Sequence, residues 1–365
     1  MKVISVRSGS KAEFACTARN EASPNPTVRM RVKGQTNMMI LAGDVGGTKT
    51  NLAFFELQND RLVVVADARY ASREHATFDE LVIRFQHDHP FRADFACFGI
   101  AGPCRNGHCK AMNLPWIVEA ERLRMQLNVG DVFVINDLEA TAYAIPVLSS
   151  NEFAVIQHGV DDGRANAAVI AAGTGLGEAG LFWDGQRHRP FASEGGHSDF
   201  APNNDLEAGL FAFLKNEFGH VGWERVLSGP GLHNLFCYLV RTRIAAPSAA
   251  VTDEMLKLDP ASVISRAALE QTCPACIAAL NLFVSMYGAE AGNLCLKLMA
   301  SGGLYIGGGI APKILPALKS GLFTAAFADK GRLRPVLEQI PVRVILTDKA
   351  ALIGAAQCAR LLGQA

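Results

Sequence analysis

An apolar run, Val132-Phe133-Val134-Ile135, stops at an amide and a carboxylate, Asn136-Asp137, and a helix pattern begins at once. A carboxylate at the carboxyl end of a parallel strand stands where α/β proteins place reacting groups, and it can take a proton from a hydroxyl nucleophile. Asn136 or Asp137 could equally cap the helix, but a cap needs only one of them. Further on, Glu194-Gly195-Gly196-His197 and Trp223-Glu224-Arg225 put acids and an imidazole near glycines. Such groups suit bidentate hydrogen bonding to a polyhydroxylated ligand. Taken singly, His197 reads as well as a structural histidine, and Glu224 as a solvated helix residue beside Arg225.

Glycine turns suggest the second reactant. Ile40-Leu41-Ala42-Gly43-Asp44-Val45-Gly46-Gly47-Thr48-Lys49-Thr50 looks like a Walker loop, but Lys49 follows Thr48 rather than a glycine, and Asn51–Glu56 is β-prone rather than helical. The spacing predicts strand, glycine turn, strand. Bare N–H groups with Asp44 beside them could hold a phosphate and its magnesium. The plainer alternative is a tight hairpin whose glycines only supply positive φ. Ala168–Trp183 repeats the design, with Gly43 and Gly173, and Gly47 and Gly177, each 130 residues apart. That repeat predicts two related domains facing one cleft. Gly175, Gly177 and Gly180 spell a formal dinucleotide fingerprint, with Glu194 near the ribose-acid position. The helix that fingerprint must open is missing, because Leu181-Phe182-Trp183 runs into Asp184-Gly185, a hairpin signal. A last turn, Gly307-Gly308-Gly309, offers a flat surface for an adenine or ribose face.

The elements that position these residues need a large frame, and 365 residues supply about two domains. Hydrophobic residues make up 49% and charged residues 19%, with Lys+Arg equal to Asp+Glu at 35 each, so nothing favours a nucleic-acid or anionic-membrane surface. No apolar segment reads as long enough for a signal core or a membrane span. Nine cysteines, an odd and scattered count, predict a reducing cytoplasm. Cys273-Pro-Ala-Cys276 lacks a second pair at zinc spacing and reads as structural thiols, as do Cys104 and Cys109. Residues 1–38 carry seven Lys/Arg against two acids with little periodicity and read as a disordered extension. An upstream start codon explains it most simply, and a transit-like segment is the alternative.

From about Met39 to the C-terminus, these segments in this order resemble bacterial glucokinase, the ATP-dependent glucose kinases of the actin-like ATPase superfamily. GDVGGTKT resembles the family's first phosphate motif, AAGTGLG its second and IGGGIAPK its adenosine motif. INDLEATAYAIP, SEGGHSDFAP and ERVLSGPGL resemble its sugar segments, and Asn113 stands where the family has Thr-Asn, with Met112 in place of the threonine. No cysteine falls between Cys109 and Cys237, so the resemblance is to the zinc-free branch.

The resemblance implies an α/β, two-domain actin-like ATPase (ribonuclease H-like) fold with a duplicated glycine-turn hairpin and a cleft between domains. The small domain would be residues 39–147, completed by a C-terminal helix at 348–365, and the large domain 148–347. ATP and Mg2+ would be held by Gly43, Asp44, Val45, Gly46, Gly47, Thr48, Gly173, Thr174, Gly175, Gly308 and Gly309, with Asp44 reaching the metal through water. Asn113, Asn136, Glu194, His197 and Glu224 would bind glucose, and Asp137 would take the proton of its 6-hydroxyl in the first step of glycolysis. A homodimer is also implied. Kinases of mannose, glucosamine or fructose remain alternatives. So does a sugar-sensing regulator, which would need a DNA-binding module that the electroneutral body and the first 38 residues do not offer.

Overall fold

The computed structural model describes residues 38–160 and 162–364. The extension expected over residues 1–38 therefore lies, Met38 apart, outside the described residues. Strand β1 (Met39–Val45) is apolar or small at nearly every position because both of its faces are covered. On one side it pairs antiparallel with β2 (Lys49–Gln58) through the first glycine turn, and on the other parallel with β4 (Phe95–Ile100). With β3 (Arg61–Ala71) and β8 (Asp131–Asn136) the order is β3-β2-β1-β4-β8. Leu41, Leu52 and Phe54 pack with Phe78, Leu81 and Phe85 of α1 (Phe78–Asp88), whereas Ile40, Ala42, Ala53 and Cys97 pack with the C-terminal helix Ala350–Gly363.

The second sheet has the order β12-β11-β10-β13-β14-β9, from β9 (Phe153–Gln157), β10 (Ala167–Ala172), β11 (Leu176–Trp183), β12 (His188–Ser193), β13 (Gly303–Gly307) and β14 (Val342–Ile345). Apart from β9, it repeats the first sheet: two antiparallel pairs lead to a central strand, then two parallel pairs follow. The duplication expected from the sequence is thus a duplicated topology. Its register differs from the glycine spacing. The turn hydrogen bonds run from Gly46 N–H to the Lys49 carbonyl and from Gly173 N–H to the Gly175 carbonyl, an offset of 173 − 46 = 127 rather than 130.

Helix α2 (Ala120–Leu127) follows a third, small sheet of β5 (Cys104–Arg105), β6 (His108–Lys110) and β7 (Ile117–Glu119). Here one expectation is corrected: Cys104 and Cys109 form a disulfide, with Cα atoms 4.2 Å apart. Asn106 (φ 52°) and Gly107 (φ 75°) make the tight left-handed turn that sets the two cysteines opposite each other in the β5–β6 register. The other six described cysteines are free, and Cys273 and Cys276 are buried.

Helix α3 (Asp137–Ala144) lies between the sheets, with Leu138, Ala142 and neighbouring Ile145 against Ala167, Val169, Ala179 and Leu181 of β10 and β11. Its other side meets the C-terminal helix so closely that a Cβ at Gly354 would overlap the Ala140 carbonyl. The second sheet's other face is covered by α4 (Asp205–Phe218), α5 (Gly229–Arg241), α6 (Ala249–Met255), α7 (Pro260–Leu269) and α8 (Pro274–Leu298), which contribute to the largest core cluster. Contrary to the sequence expectation, α8 is long and apolar enough to cross a membrane. Its composition reflects protein burial: 67% of its most apolar window lies inside the fold.

Candidate active site

Each sheet delivers a glycine turn at the carboxyl end of its central strand, β1 or β10, and the first sheet adds Asp44 near the end of β1 and Asn136-Asp137 at the end of its edge strand β8. Asp44, near the end of β1, belongs to a cross-strand row that period-2 alternation puts on one face of the sheet. Asn51 opposite it on β2 donates to Asp44 Oδ2 at 3.1 Å, and Arg69 on β3 donates through Nε to Asn51 Oδ1 at 2.7 Å. The Arg69 guanidinium also reaches Asp348, ahead of the C-terminal helix, at 3.2 Å. Asn51 and Arg69 escaped the sequence reading, although the strand alternation that aligns them was visible there. On the other flank of Asp44, Gly99 of β4 leaves the row open, since a Cβ there would press on Ala140 at 2.8 Å.

At the end of β8 the structure divides the two candidate caps. Asn136 is the cap of α3: its Oδ1 accepts from Leu138 N–H at 2.9 Å and Glu139 N–H at 3.3 Å, and its Nδ2 donates to the Gly102 carbonyl at 3.3 Å. Asp137 is the first helical residue, and its Oδ1 accepts from the Leu138 N–H at 3.0 Å. Burial pushes its carboxyl up to about 6, helped by the charge of Asp44 and, less, of Glu194, and opposed by the Leu138 N–H. Burial likewise raises Asp44, against the Asn51 hydrogen bond and the Arg69 charge and with a small contribution from Asp348. Among the described residues no group of three or more possible metal ligands occurs, but two neighbouring carboxyl groups that burial holds against ionisation could serve a hard divalent cation that keeps most of its water.

The first turn is Gly46, Gly47 and exposed Thr48, and Asn113 lies against it: a Cβ on Gly47 would sit 3.2 Å from the Asn113 Cβ. Asn113 itself is left-handed, φ 63°. Gly43 and Val45 do not reach the turn. Both are in β1, Gly43 flat beneath Phe98 and Leu52 and the Val45 side chain in the core. The second turn, Gly173-Thr174-Gly175, receives the start of α5, whose Gly229 N–H donates to the Gly173 carbonyl at 2.8 Å. Ser228 caps that helix by accepting from Gly231 N–H at 3.0 Å. A helix N-terminus beside a glycine turn favours an anion, and the signal for it, a serine cap before Gly-Pro-Gly, was present in the sequence. Gly308 and Gly309 are exposed, and Gly308 (φ 82°) packs so tightly on the Ala172 carbonyl that a Cβ would overlap it.

The remaining segments are tied to one another. The Trp223 N–H donates to the Ser198 carbonyl at 3.0 Å, and Gly222 bridges to Asp199, which locks the Glu194–His197 turn to the Glu224 turn. Glu224 is no solvated helix residue. It accepts from Leu176 N–H at 3.2 Å and occupies the space a Cβ on Gly175 would need, while Arg225 turns away over the Phe218 ring. Glu194, His197 and Asn113 line one cavity of about 760 Å³, together with Pro103 and the segment Lys110–Pro115. Of the sugar candidates, therefore, three share this cavity. Asp137 senses it through Glu194, Asn136 serves mainly as cap, and Glu224 braces the second glycine turn.

Residues 41–362 match the family model for glucokinase. A glucokinase from a Nostoc species is 40% identical over 340 residues, covering 89% of this chain and 99% of its own length. Another from Synechocystis is 39% identical over 351 residues, with the same coverage. Among solved structures, glucokinase from an Antarctic psychrotroph aligns with TM-score 0.78 at 33% identity, over 88% of this chain and 99% of its own. A glucokinase of the ROK family from Streptomyces griseus, at 20% identity and TM-score 0.62 over 88% and 99%, shares the fold, in keeping with the actin-like architecture expected. With the family model matched over residues 41–362 and nearly the whole length of these relatives covered, this chain belongs to the glucokinase family.

Proposed function

We propose that this chain transfers the γ-phosphoryl group of ATP to the 6-hydroxyl of D-glucose, releasing ADP and glucose 6-phosphate. The observation that carries the reading is the Asp137 carboxyl, free of capping duty and pushed up to about 6, between Asp44 at the first glycine turn and Glu194 at the cavity. Phosphoryl transfer asks a protein for position and charge compensation more than for covalent chemistry. Asn113, Glu194 and His197 hold the sugar hydroxyls, and the remaining Asn136 N–H is available to one more. Asp137 accepts the 6-hydroxyl proton as that oxygen attacks the γ-phosphorus and the bond to the bridging oxygen of ADP breaks. Backbone N–H groups at Gly47, Thr48, Thr174 and Gly175 would face the phosphates, with the Gly46 N–H closing the first turn on the Lys49 carbonyl and the α5 N-terminus behind the second. Asp44 would hold Mg2+ through water, and that ion would offset charge on the phosphate oxygens. Gly308 and Gly309 offer the nucleoside its flat surface.

Within the same proposal, residues 39–147 with 348–365 form a small domain and 148–347 a large one, a division that follows the two sheets and lets closure exclude water. A homodimer rests on family resemblance, and a cytoplasmic setting on the odd, scattered cysteine count. A coupled ATP assay over glucose, mannose, glucosamine and fructose tests the substrate. Glucose is expected to give the highest kcat/KM, and a higher value for another hexose overturns that part of the reading.

A further inference from the structure

Strand β11 is buried on both faces over most of its length and is apolar or small from Leu176 to Phe182, with one exception. That exception is Glu178. It is 1% exposed, and its Oε1 has no hydrogen-bond partner among the described residues. The carboxyl fills the space that Gly195 leaves, for a Cβ there would overlap Glu178 Oε2 and stand 3.1 Å from Ser193 Oγ. Ser193 is the direct partner of Glu178 in the β11–β12 register, and its Oγ accepts from the Gly195 N–H at 2.9 Å. Gly195 lies between Glu194 and His197, both of which line the cavity. On its other side Glu178 faces Glu290 of α8, which is fully buried and held by Asn293 Nδ2 at 2.8 Å and Lys297 Nζ at 3.2 Å.

We propose that Glu178 is a positioning residue of the sugar pocket: its carboxyl, wedged between Gly195 and Glu290, seats the Glu194–His197 turn on the edge of the second sheet. The inference rests on the reading that Glu194 and His197 bind the sugar. Two buried carboxyl groups tolerate each other only while at least one is protonated. Burial, then the charge of Glu290, pushes Glu178 up to about 8, with Lys297 pulling the other way and a hydrogen bond to Glu290 adding to the rise. The other groups nearby do not offset this. The Tyr287 hydroxyl of α8 accepts from the Ala172 N–H at 3.1 Å and donates to the Ile170 carbonyl at 3.4 Å, Ser193 is neutral, and Lys330 bonds to Asn293 rather than to either acid. Lys330 itself is drawn upward by Glu290, Asp329 and Glu207 but lowered overall by burial. A raised carboxyl contributes fully at low pH and loses its fit as pH rises through about 8. Ionised Glu178 would repel Glu290 and release the turn above it.

The test is KM for glucose and for ATP in wild type, Glu178→Gln, Glu178→Ala and Glu194→Gln, from about pH 6.5 to about pH 9.5. In wild type the glucose KM is expected to rise severalfold above about pH 8 while the ATP KM stays flat. Glu178→Gln, which copies the neutral acid in shape, should match wild type at neutral pH and lack the alkaline rise. Glu178→Ala should raise the glucose KM by roughly 3- to 30-fold at neutral pH without moving the ATP KM. Superimposable profiles for wild type and Glu178→Gln overturn the proposal, as does an alanine variant that moves neither KM or both alike. Should the alanine variant fail to fold, the glutamine profile decides. An unchanged glucose KM in Glu194→Gln removes the sugar-pocket reading itself. A rise there with no response at Glu178 removes only this inference.

Discussion

Replacing Asp137 with asparagine separates the proposed base from a helix cap, because the two roles predict opposite signs for stability. The cap of α3 is Asn136, with its two backbone bonds at 2.9 and 3.3 Å, so the helix start survives the change. The amide oxygen that replaces the carboxylate can still accept from the Leu138 N–H. What disappears is a carboxyl raised from 3.8 to about 6. Such a group binds its proton more tightly in the folded chain than in the unfolded one. Its stabilisation is complete below pH 3.8 and is lost as pH rises through about 6, which makes the ionised side chain a burden above that point. A rise of that size corresponds to about 3 kcal/mol, and because Asp137 keeps part of its surface exposed we halve this to roughly 1.5 kcal/mol. The variant should therefore be more resistant to urea than wild type at pH 8 and about equal to it at pH 4. Its kcat should fall by roughly 100- to 10,000-fold, while glucose still binds, as read by tryptophan fluorescence or calorimetry. Near wild-type turnover, or a loss of stability at pH 8, would refute the assignment of Asp137 as base.

For wild type, kcat/KM for glucose is expected to climb with pH through about 6 as Asp137 ionises, and a profile flat across that range counts against it. Glu194→Gln should raise the KM for glucose but not for ATP, at a cost of about 1 to 3 kcal/mol in binding. Glu224→Gln should raise the KM for ATP, because Glu224 supports Leu176 at the second glycine turn, and a purely glucose-side effect would show that this brace is idle. Starting the chain at Met38 should leave kcat/KM and the unfolding midpoint nearly unchanged, since residues 1–37 lack a periodic apolar pattern, and a large loss of either would show otherwise.

Much of the frame was legible because it is written in local chemistry. Apolar runs broken by glycine turns specify strand–turn–strand at 39–58 and 167–183 whatever the rest of the chain does, and the failed Walker and dinucleotide registers follow from spacing alone. Asn136-Asp137 likewise announced a cap with one acid to spare. Which residue capped, however, depends on backbone direction at the end of β8, and only the folded strand settles it. The Asn106-Gly107 turn was in plain view, yet the pairing of Cys104 with Cys109 needed the β5–β6 register. The resemblance of GDVGGTKT to a phosphate motif put Gly43 among the phosphate-binding residues. Strand pairing places it instead beneath Phe98 and Leu52. Glu178 and Glu290 are 112 residues apart, and nothing local marks either as a partner of the other. Their meeting and the rise in the Glu178 pKa are produced by packing α8 beneath the second sheet, and the fit under Gly195 by folding the Glu194–His197 turn onto β11, since desolvation and close-range charge exist only where separate elements shut out water.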